Sequence, residues 1–250
     1  MHLQSLTTLA RSTALEAGRI ILSIYNSFDQ GLEYKVDESP LTKADIAAHE
    51  VIVKYLKETG FPVLSEEGKF TPYSIRRNWD YYWLVDPLDG TKEFIKKNGE
   101  FTVNIALIHQ QEPILGVVYA PVLGWLYWGN REEGAWKQES GKSPQKLKAI
   151  PDASVKTIVA SRSHMTEETQ AYIDQFPGAE TISMGSSLKF MLVAEDQAQL
   201  YPRFSPTMEW DTAAAQAIVE ASGRHVLTYP DLEPMKYNRE DMRNGWFVVK

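Results

Sequence analysis

Tyr81-Tyr82-Trp83-Leu84-Val85-Asp86-Pro87-Leu88-Asp89-Gly90-Thr91 is the stretch around which the chain organises itself. Its first five residues, aromatic or aliphatic throughout, predict a buried strand. The second half is a turn rich in oxygen atoms. The strand end holds Asp86 rigidly, Pro87 fixes the next backbone step, and Gly90 permits a tight bend that brings Asp89 back towards Asp86. The Leu88 carbonyl can join the two carboxylates as a third oxygen ligand, with the Thr91 hydroxyl beside them. Oxygen-only donors suit a hard divalent cation, magnesium before manganese, and suit zinc poorly. By spacing alone, the same residues also make an ordinary Asp/Pro/Gly turn.

Further acidic residues stand at element junctions. Val63-Leu64 predicts a short strand ending in Glu66-Glu67. Asp211 opens a predicted helix that runs to about Ser222 and stops at Gly223. Asp45 forms a predicted capping box with Thr42 at the start of a helix that Gly60 terminates, and Asp37 precedes it. Taken singly, these are a solvated acidic turn, a helix N-cap and a capping-box acid. Together, Glu67, Asp86, Asp89 and Asp211 supply enough carboxylates for two cations sharing Asp86.

Outside these junctions, residues 3–25 carry apolar side chains at helical spacing, and residues 34–40 read as a turn or short hairpin. Strands over 101–108, 115–119 and 126–128 suggest an antiparallel meander. Residues 138–148 are polar and read as solvated. Beyond them strand 157–160, helix 167–176, strand 181–184, helix 188–195, a short strand near Leu200 and strand 246–249 alternate. The expected architecture is an α+β lobe over residues 1–148, carrying most metal ligands, joined to an α/β lobe over residues 149–250 that carries Asp211. Trp79, Trp83, Trp125, Trp128, Trp136 and Trp246 read as core or sheet-face residues, and Trp210 as packing for the helix end at Asp211.

Composition narrows the function. The chain has 250 residues and a formal charge of −7, enough for a substantial core and the wrong sign for unspecific binding of nucleic acid. Cysteine is absent, which removes disulfide scaffolds, thiol catalysis and thiolate metal sites, and fits a cytoplasmic setting. His2, His49, His109 and His225 show no metal-ligand spacing. No apolar run is long enough for a transmembrane segment, and the amino end lacks the features of a signal peptide. Peripheral association with the cytoplasmic face of the inner membrane and the oligomeric state are left open.

The set Ser65-Glu66-Glu67, Asp86-Pro87-Leu88-Asp89-Gly90-Thr91 and Trp210-Asp211-Thr212-Ala213-Ala214 resembles the inositol monophosphatase family of lithium-sensitive, magnesium-dependent phosphatases, in motif order and separation, over nearly the whole chain. Within that family, the residues Asp37 to Asp45, Ser161-Arg162-Ser163-His164, Gly185-Ser186-Ser187-Leu188-Lys189-Phe190 and Tyr201-Pro202-Arg203-Phe204 are most similar to the CysQ-type 3'(2'),5'-bisphosphate nucleotidases. The resemblance implies a layered α-β-α-β-α sugar-phosphatase fold. It also implies hydrolysis of a small bisphosphorylated nucleotide, adenosine 3',5'-bisphosphate, to AMP and phosphate by water, with no phosphoenzyme.

It further implies a division of labour. Glu67, Asp86 and the Leu88 carbonyl hold a first Mg2+ beside the attacking water, while Asp86, Asp89 and Asp211 hold a second. Mn2+ is a substitute, and Glu66 supports an accessory third ion. Thr91 and Asp45 form the catalytic pair that orients the water. Gly90, the amides of Gly185, Ser186 and Ser187, and the cations Lys189 and Arg203 are expected to bind substrate, with His164 at the base or a phosphate. The ordinary alternatives for the rim residues are a helix cap, solvated surface cations and a structural histidine. Two other functions share this pattern: an inositol or sugar monophosphate phosphatase of the same family, and a non-catalytic binding protein on the same scaffold.

Overall fold

The computed structural model describes residues 2–27, 33–34, 40–150, 154–162 and 164–250. Asp37 and Ser163 lie outside the described residues. Helix α1 (Leu3–Tyr25) is followed by the paired short strands β1 (Glu33–Tyr34) and β2 (Pro40–Leu41), which agree with the expected hairpin at its two ends. Helix α2 (Lys43–Leu56) is capped by Thr42, whose Oγ1 accepts the Ala44 N–H, while Asp45 Oδ2 accepts the Thr42 N–H at 2.8 Å. A 3-10 turn then ends at Gly60 in the left-handed region, where glycine carries no Cβ penalty.

Strand β3 (Val63–Ser65), helix α3 (Tyr73–Arg76), strand β4 (Tyr81–Asp89), helix α4 (Thr91–Ile95) and strands β5 (Thr102–His109), β6 (Glu112–Ala120), β7 (Trp125–Asn130), β8 (Gly134–Glu139) and β9 (Gln145–Leu147) come next along the chain. The strands form one seven-stranded sheet in sequence order, parallel between β3 and β4 and antiparallel elsewhere. The expected meander is there, and it is longer than expected. Residues 138–148, read as solvated, end β8 and contain β9. They are indeed mostly exposed, because an edge strand needs neighbours only on one side and can keep polar side chains in water.

The remainder comprises strand β10 (Thr157–Ala160), helix α5 (Glu167–Ile173), strand β11 (Glu180–Ser183), helix α6 (Leu188–Ala194), strands β12 (Tyr201–Arg203) and β13 (Thr207–Met208), helix α7 (Glu209–Ser222), and strands β14 (Val226–Thr228), β15 (Arg243–Asn244) and β16 (Phe247–Val249). β10 and β11 pair in parallel, and β12, β16 and β14 form an antiparallel trio. The layers are α1 and α2, the large sheet, α6 and α7, the small sheets, and α5 outermost. Two apolar clusters fill the large sheet's faces, one under α1 and α2 and one under α6 and α7, while a third lies under α5. Trp83 is fully buried. Trp246, expected in the core or on a sheet face, is 40% exposed and precedes β16, its ring stacked on Phe204 just after β12.

The alternation along β4 decides what each face receives. Tyr82 and Leu84 point into the cluster under α7, whereas Trp83 and Val85 point into the cluster under α1 and α2. Asp86 continues the first series. Between Asp86 and Asp89 the register with β5 shifts: Asp86 pairs with Asn104 and Asp89 with Thr102, three steps on one strand against two on the other. A bulge of this kind reverses the facing of the residues beyond it. Leu88 therefore packs under α1 and α2, and Asp89 returns to the face of Asp86. The strand was expected to end at Asp86; it runs on because the bulge accommodates Pro87.

Helix α7 lies close on that face. A Cβ on Gly116 of β6 would stand 2.0 Å from the Ala214 carbonyl oxygen, and one on Gly129 of β7 would stand 3.0 Å from the Ile218 Cα. These glycines and the run Ala213-Ala214-Ala215 let the helix backbone approach the sheet, and its first turn reaches Asp86. Among the described residues no helix is long and apolar enough to cross a membrane.

Candidate metal centre and active site

Three carboxylates converge where β3, β4 and α7 meet. Glu66, Asp86 and Asp211 each bring one oxygen within 4.8 Å of the others. Asp86 is 2% exposed and its Oδ1 accepts the Leu88 N–H at 3.0 Å. Asp211 occupies the third position of α7, not the first as expected, and its Oδ2 accepts the Met208 N–H at 2.8 Å. A carboxylate in the first turn of a helix complements the helix dipole. That alone does not account for three together.

The cluster contains Glu66 where the sequence pointed to Glu67. Leu64 faces the α7 side, and Glu66, two residues on, keeps that direction because its N–H still bonds the Val85 carbonyl as the strand pairing continues. Ser65 faces the other way and meets His49 of α2 at 2.9 Å. Glu67 shares the parity of Ser65 and does not line the pocket.

Electrostatics mark the cluster as a cation site. Burial, and then the charges of Glu66, Asp89 and Asp211, push the Asp86 carboxyl well above the ordinary aspartate range. Burial and then Asp89 do the same to Asp211. Among the described residues no salt bridge reaches Asp86, Asp89 or Asp211. Buried like charges without a direct ion-pair partner are costly, and a hard divalent cation on these oxygens would remove the cost. The donor set fits such an ion.

A cavity of about 330 Å³ opens over the cluster. Of the expected site residues, Glu66, Asp86, Leu88, Asp89, Gly90, Thr91, His164, Gly185, Ser186, Ser187, Lys189, Arg203 and Asp211 line it. Gly90 sits at φ 97°, which starts α4 and sets Thr91 at the pocket wall. Thr91 Oγ1 donates to Asp45 Oδ1 at 3.4 Å, while Asp45 Oδ2 accepts from the Thr42 hydroxyl at 2.5 Å. Asp45 thus caps its helix and reaches the site.

Of the three amides expected to cradle an anion in segment 185–187, that of Gly185 is taken within the protein. The Gly185 N–H donates to Glu100 Oε2 at 2.8 Å, so a protein carboxylate takes the place foreseen for a phosphate. The hydroxyls of Ser186 and Ser187 turn inwards to Asp89 Oδ2, at 2.6 and 3.0 Å. Lys189 is buried, not solvated: its Nζ donates to the carbonyl oxygens of Met184 (3.2 Å) and Ser186 (2.7 Å). Burial, opposed by the charge of Asp89, pulls its ammonium down to about 8. Arg203 is buried too; its Nη2 donates weakly to the Pro206 carbonyl at 3.4 Å, and among the described residues its Nε has no partner. His164 stands exposed at the rim, its Nδ1 3.3 Å from Ser161 Oγ.

Glu100, Thr102 and Asn104 were missed. Thr102 Oγ1 lies 2.6 Å from Ser186 Oγ, and Asn104 Nδ2 donates to Ser187 Oγ at 2.9 Å. The signal was present: Phe101-Thr102-Val103-Asn104-Ile105 interrupts an apolar strand with polar residues at alternate positions, and both are buried. Buried polar side chains on one face of a strand require partners.

A five-layer α-β-α-β-α fold with an acidic pocket at the meeting of sheet and helix defines a class of phosphatase-like proteins. The model of the inositol monophosphatase family matches residues 2–243, and the chain belongs to that family. It is 53% identical over 251 aligned positions, covering 99% of this chain and 98% of the relative, to the 3'(2'),5'-bisphosphate nucleotidase CysQ of Salmonella typhimurium. To the protein of that name from Escherichia coli K12 it is 50% identical, covering 94% and 96%. The crystal structure of CysQ from Bacteroides thetaiotaomicron, described as a bacterial member of the same family, superposes with a TM-score of 0.90 at 47% identity, covering 100% and 98%. An inositol monophosphatase from Anabaena shares the fold, with a TM-score of 0.75 at 22% identity, covering 99% and 90%.

Proposed function

We propose that the protein is a magnesium-dependent 3'(2'),5'-bisphosphate nucleotidase that hydrolyses adenosine 3',5'-bisphosphate to AMP and phosphate. One observation carries this reading beside the similarity to the CysQ relatives. A single pocket sets the carboxylates Glu66, Asp86, Asp89 and Asp211 against two buried cations, Lys189 and Arg203. An ester with one phosphate uses the acidic end only; a second phosphate gives the buried cations a partner.

Glu66, Asp86 and the Leu88 carbonyl would hold one Mg2+, and Asp86, Asp89 and Asp211 a second, with Mn2+ able to substitute and Li+ inhibitory. Bound there, the ions supply an activated water and offset charge on the departing oxygen. Thr91 Oγ1 donates its hydrogen bond to Asp45 Oδ1, which leaves its lone pairs to accept a hydrogen bond from a water in the pocket. Asp45 is kept in place by the Thr42 N–H and hydroxyl. Two of the three Lys189 N–H groups are spent on carbonyls, which leaves one for substrate, while the Arg203 guanidinium makes one weak hydrogen bond among the described residues and can pair with phosphate oxygens. Asp86 and Asp89 serve as ligands, which makes water the nucleophile and removes the need for a phosphoenzyme. The lobe boundary near residue 148 and a cytoplasmic setting belong to the same reading.

Phosphate release from adenosine 3',5'-bisphosphate and from an inositol monophosphate, compared at equal enzyme and magnesium, tests it. The bisphosphate is expected to turn over much the faster. Preference for the inositol ester would move the protein to the monophosphatases of its family, and turnover of neither would leave a binding protein.

A further inference from the structure

Two hydroxyls from one turn meet a single oxygen of Asp89. Ser186 Oγ and Ser187 Oγ stand 2.6 and 3.0 Å from Oδ2, with Asn104 Nδ2 behind them at 3.4 Å. Among the described residues no hydrogen bond lands on Oδ1. Ser187 Oγ is also 2.9 Å from the backbone oxygen of Asp211. One hydroxyl therefore touches both Asp89 of β4 and Asp211 of α7, two residues from separate layers that the two-cation reading assigns to the same ion.

The turn is built to keep this arrangement. Ser186 sits at φ 51°, a conformation that an L-residue adopts only when its surroundings impose it. The Lys189 ammonium binds the carbonyls on either side of Gly185, and Glu100 holds the Gly185 N–H. A Cβ at position 185 would stand 2.6 Å from the Glu100 carbonyl oxygen, so glycine is required for that closure. The left-handed backbone at Ser186, the Lys189 ammonium and Glu100 thus converge on the orientation of one carboxylate.

We infer that the hydroxyls of Ser186 and Ser187 are positioning groups for the cation pocket. By bonding to Oδ2 they hold the carboxylate in one orientation and leave Oδ1 as the oxygen that meets an ion. Partners in this second tier around a metal typically govern affinity by ten- to a hundredfold. The inference rests on Asp89 being a ligand, as proposed above.

The test titrates the metal-free, full-length protein with Mn2+, following free Mn2+ by electron paramagnetic resonance, for the wild type, Ser187→Ala and Ser186→Gly. The glycine variant removes one hydroxyl while relieving the left-handed backbone, so it stays folded even if Ser187→Ala does not. Mn2+ affinity is expected to weaken about tenfold or more in each variant, and the Mg2+ needed for half-maximal activity to rise in step. The KM for the bisphosphate at saturating Mg2+ should stay at the wild-type value. Wild-type Mn2+ affinity in Ser186→Gly, or a raised KM with unchanged metal dependence, overturns the inference and leaves the nucleotidase reading standing. A wild type that binds no Mn2+ removes the two-cation reading itself, and this inference with it.

Discussion

Glu66 and Glu67 differ by one step along a strand, and that step decides which can hold a cation. The doublet itself is plain in the sequence, as is its place after an apolar strand. Its facing is not, because Val63-Leu64 alone does not say how far the strand persists. With Ser65 paired and the Glu66 N–H still bonded across to Val85, the parity set by Leu64 extends to Glu66. Replacing Glu66 with Gln is therefore expected to lower phosphate release by more than about a hundredfold at standard Mg2+, beyond the usual cost of a supporting contact. Glu67→Gln should stay within a few-fold. The reverse ranking, measured on equally folded proteins, would return the ligand to Glu67. The same limit explains Ser186 and Ser187. Their motif is legible as a strand-to-helix turn, but no pattern announces that both hydroxyls point back to Asp89.

At the scale of elements, the end of α7 was legible and its docking was not. Gly223 marks its end, and the alanine run 213–215 announces a tightly packed face. Its beginning was placed two residues late because Asp211 reads as an N-cap, whereas its carboxylate caps from inside the first turn. What seats the helix lies on another element: Gly116, unremarkable within an apolar strand, is the point where the Ala214 carbonyl presses on the sheet. Short pieces such as α3 and α4, and the exposed edge strand β9, were lost for a simpler reason, since their few residues carry too little apolar periodicity. Gly116→Ala has no room for its methyl group without moving α7. It is expected to cost about 1–3 kcal/mol, as overpacking does, and to depress turnover by displacing Asp211. Urea midpoint and kcat measured together check this. A stability loss with full activity would mean that the metal end of α7 does not depend on that seat.

Across the whole molecule, folding gathers negative charge that the sequence keeps far apart, and the metal-free protein bears the consequence. Asp86 and Asp211 have folded-state proton affinities raised above the ordinary aspartate value of 3.8, first by burial and then by each other's neighbours. Above that value the folded chain binds more protons at these positions than the unfolded chain does, so their contribution to stability falls as pH rises through the raised range. It is intact only below it. A divalent cation binds the deprotonated form and so stabilises most where the protons have left. Thermal unfolding with and without saturating Mg2+ should accordingly show an increment that grows from about pH 5 to about pH 8. At the upper end it should reach about 5–10 °C, the size expected for a ligand near a hundred times its dissociation constant. Exposed carboxylates such as Glu112, whose affinity is lowered by its bond to Lys236, tilt the metal-free curve the other way, but they cancel in the difference taken at each pH. An increment that is flat across the range, or larger at the acid end, would mean that the cation is not held by these buried aspartates.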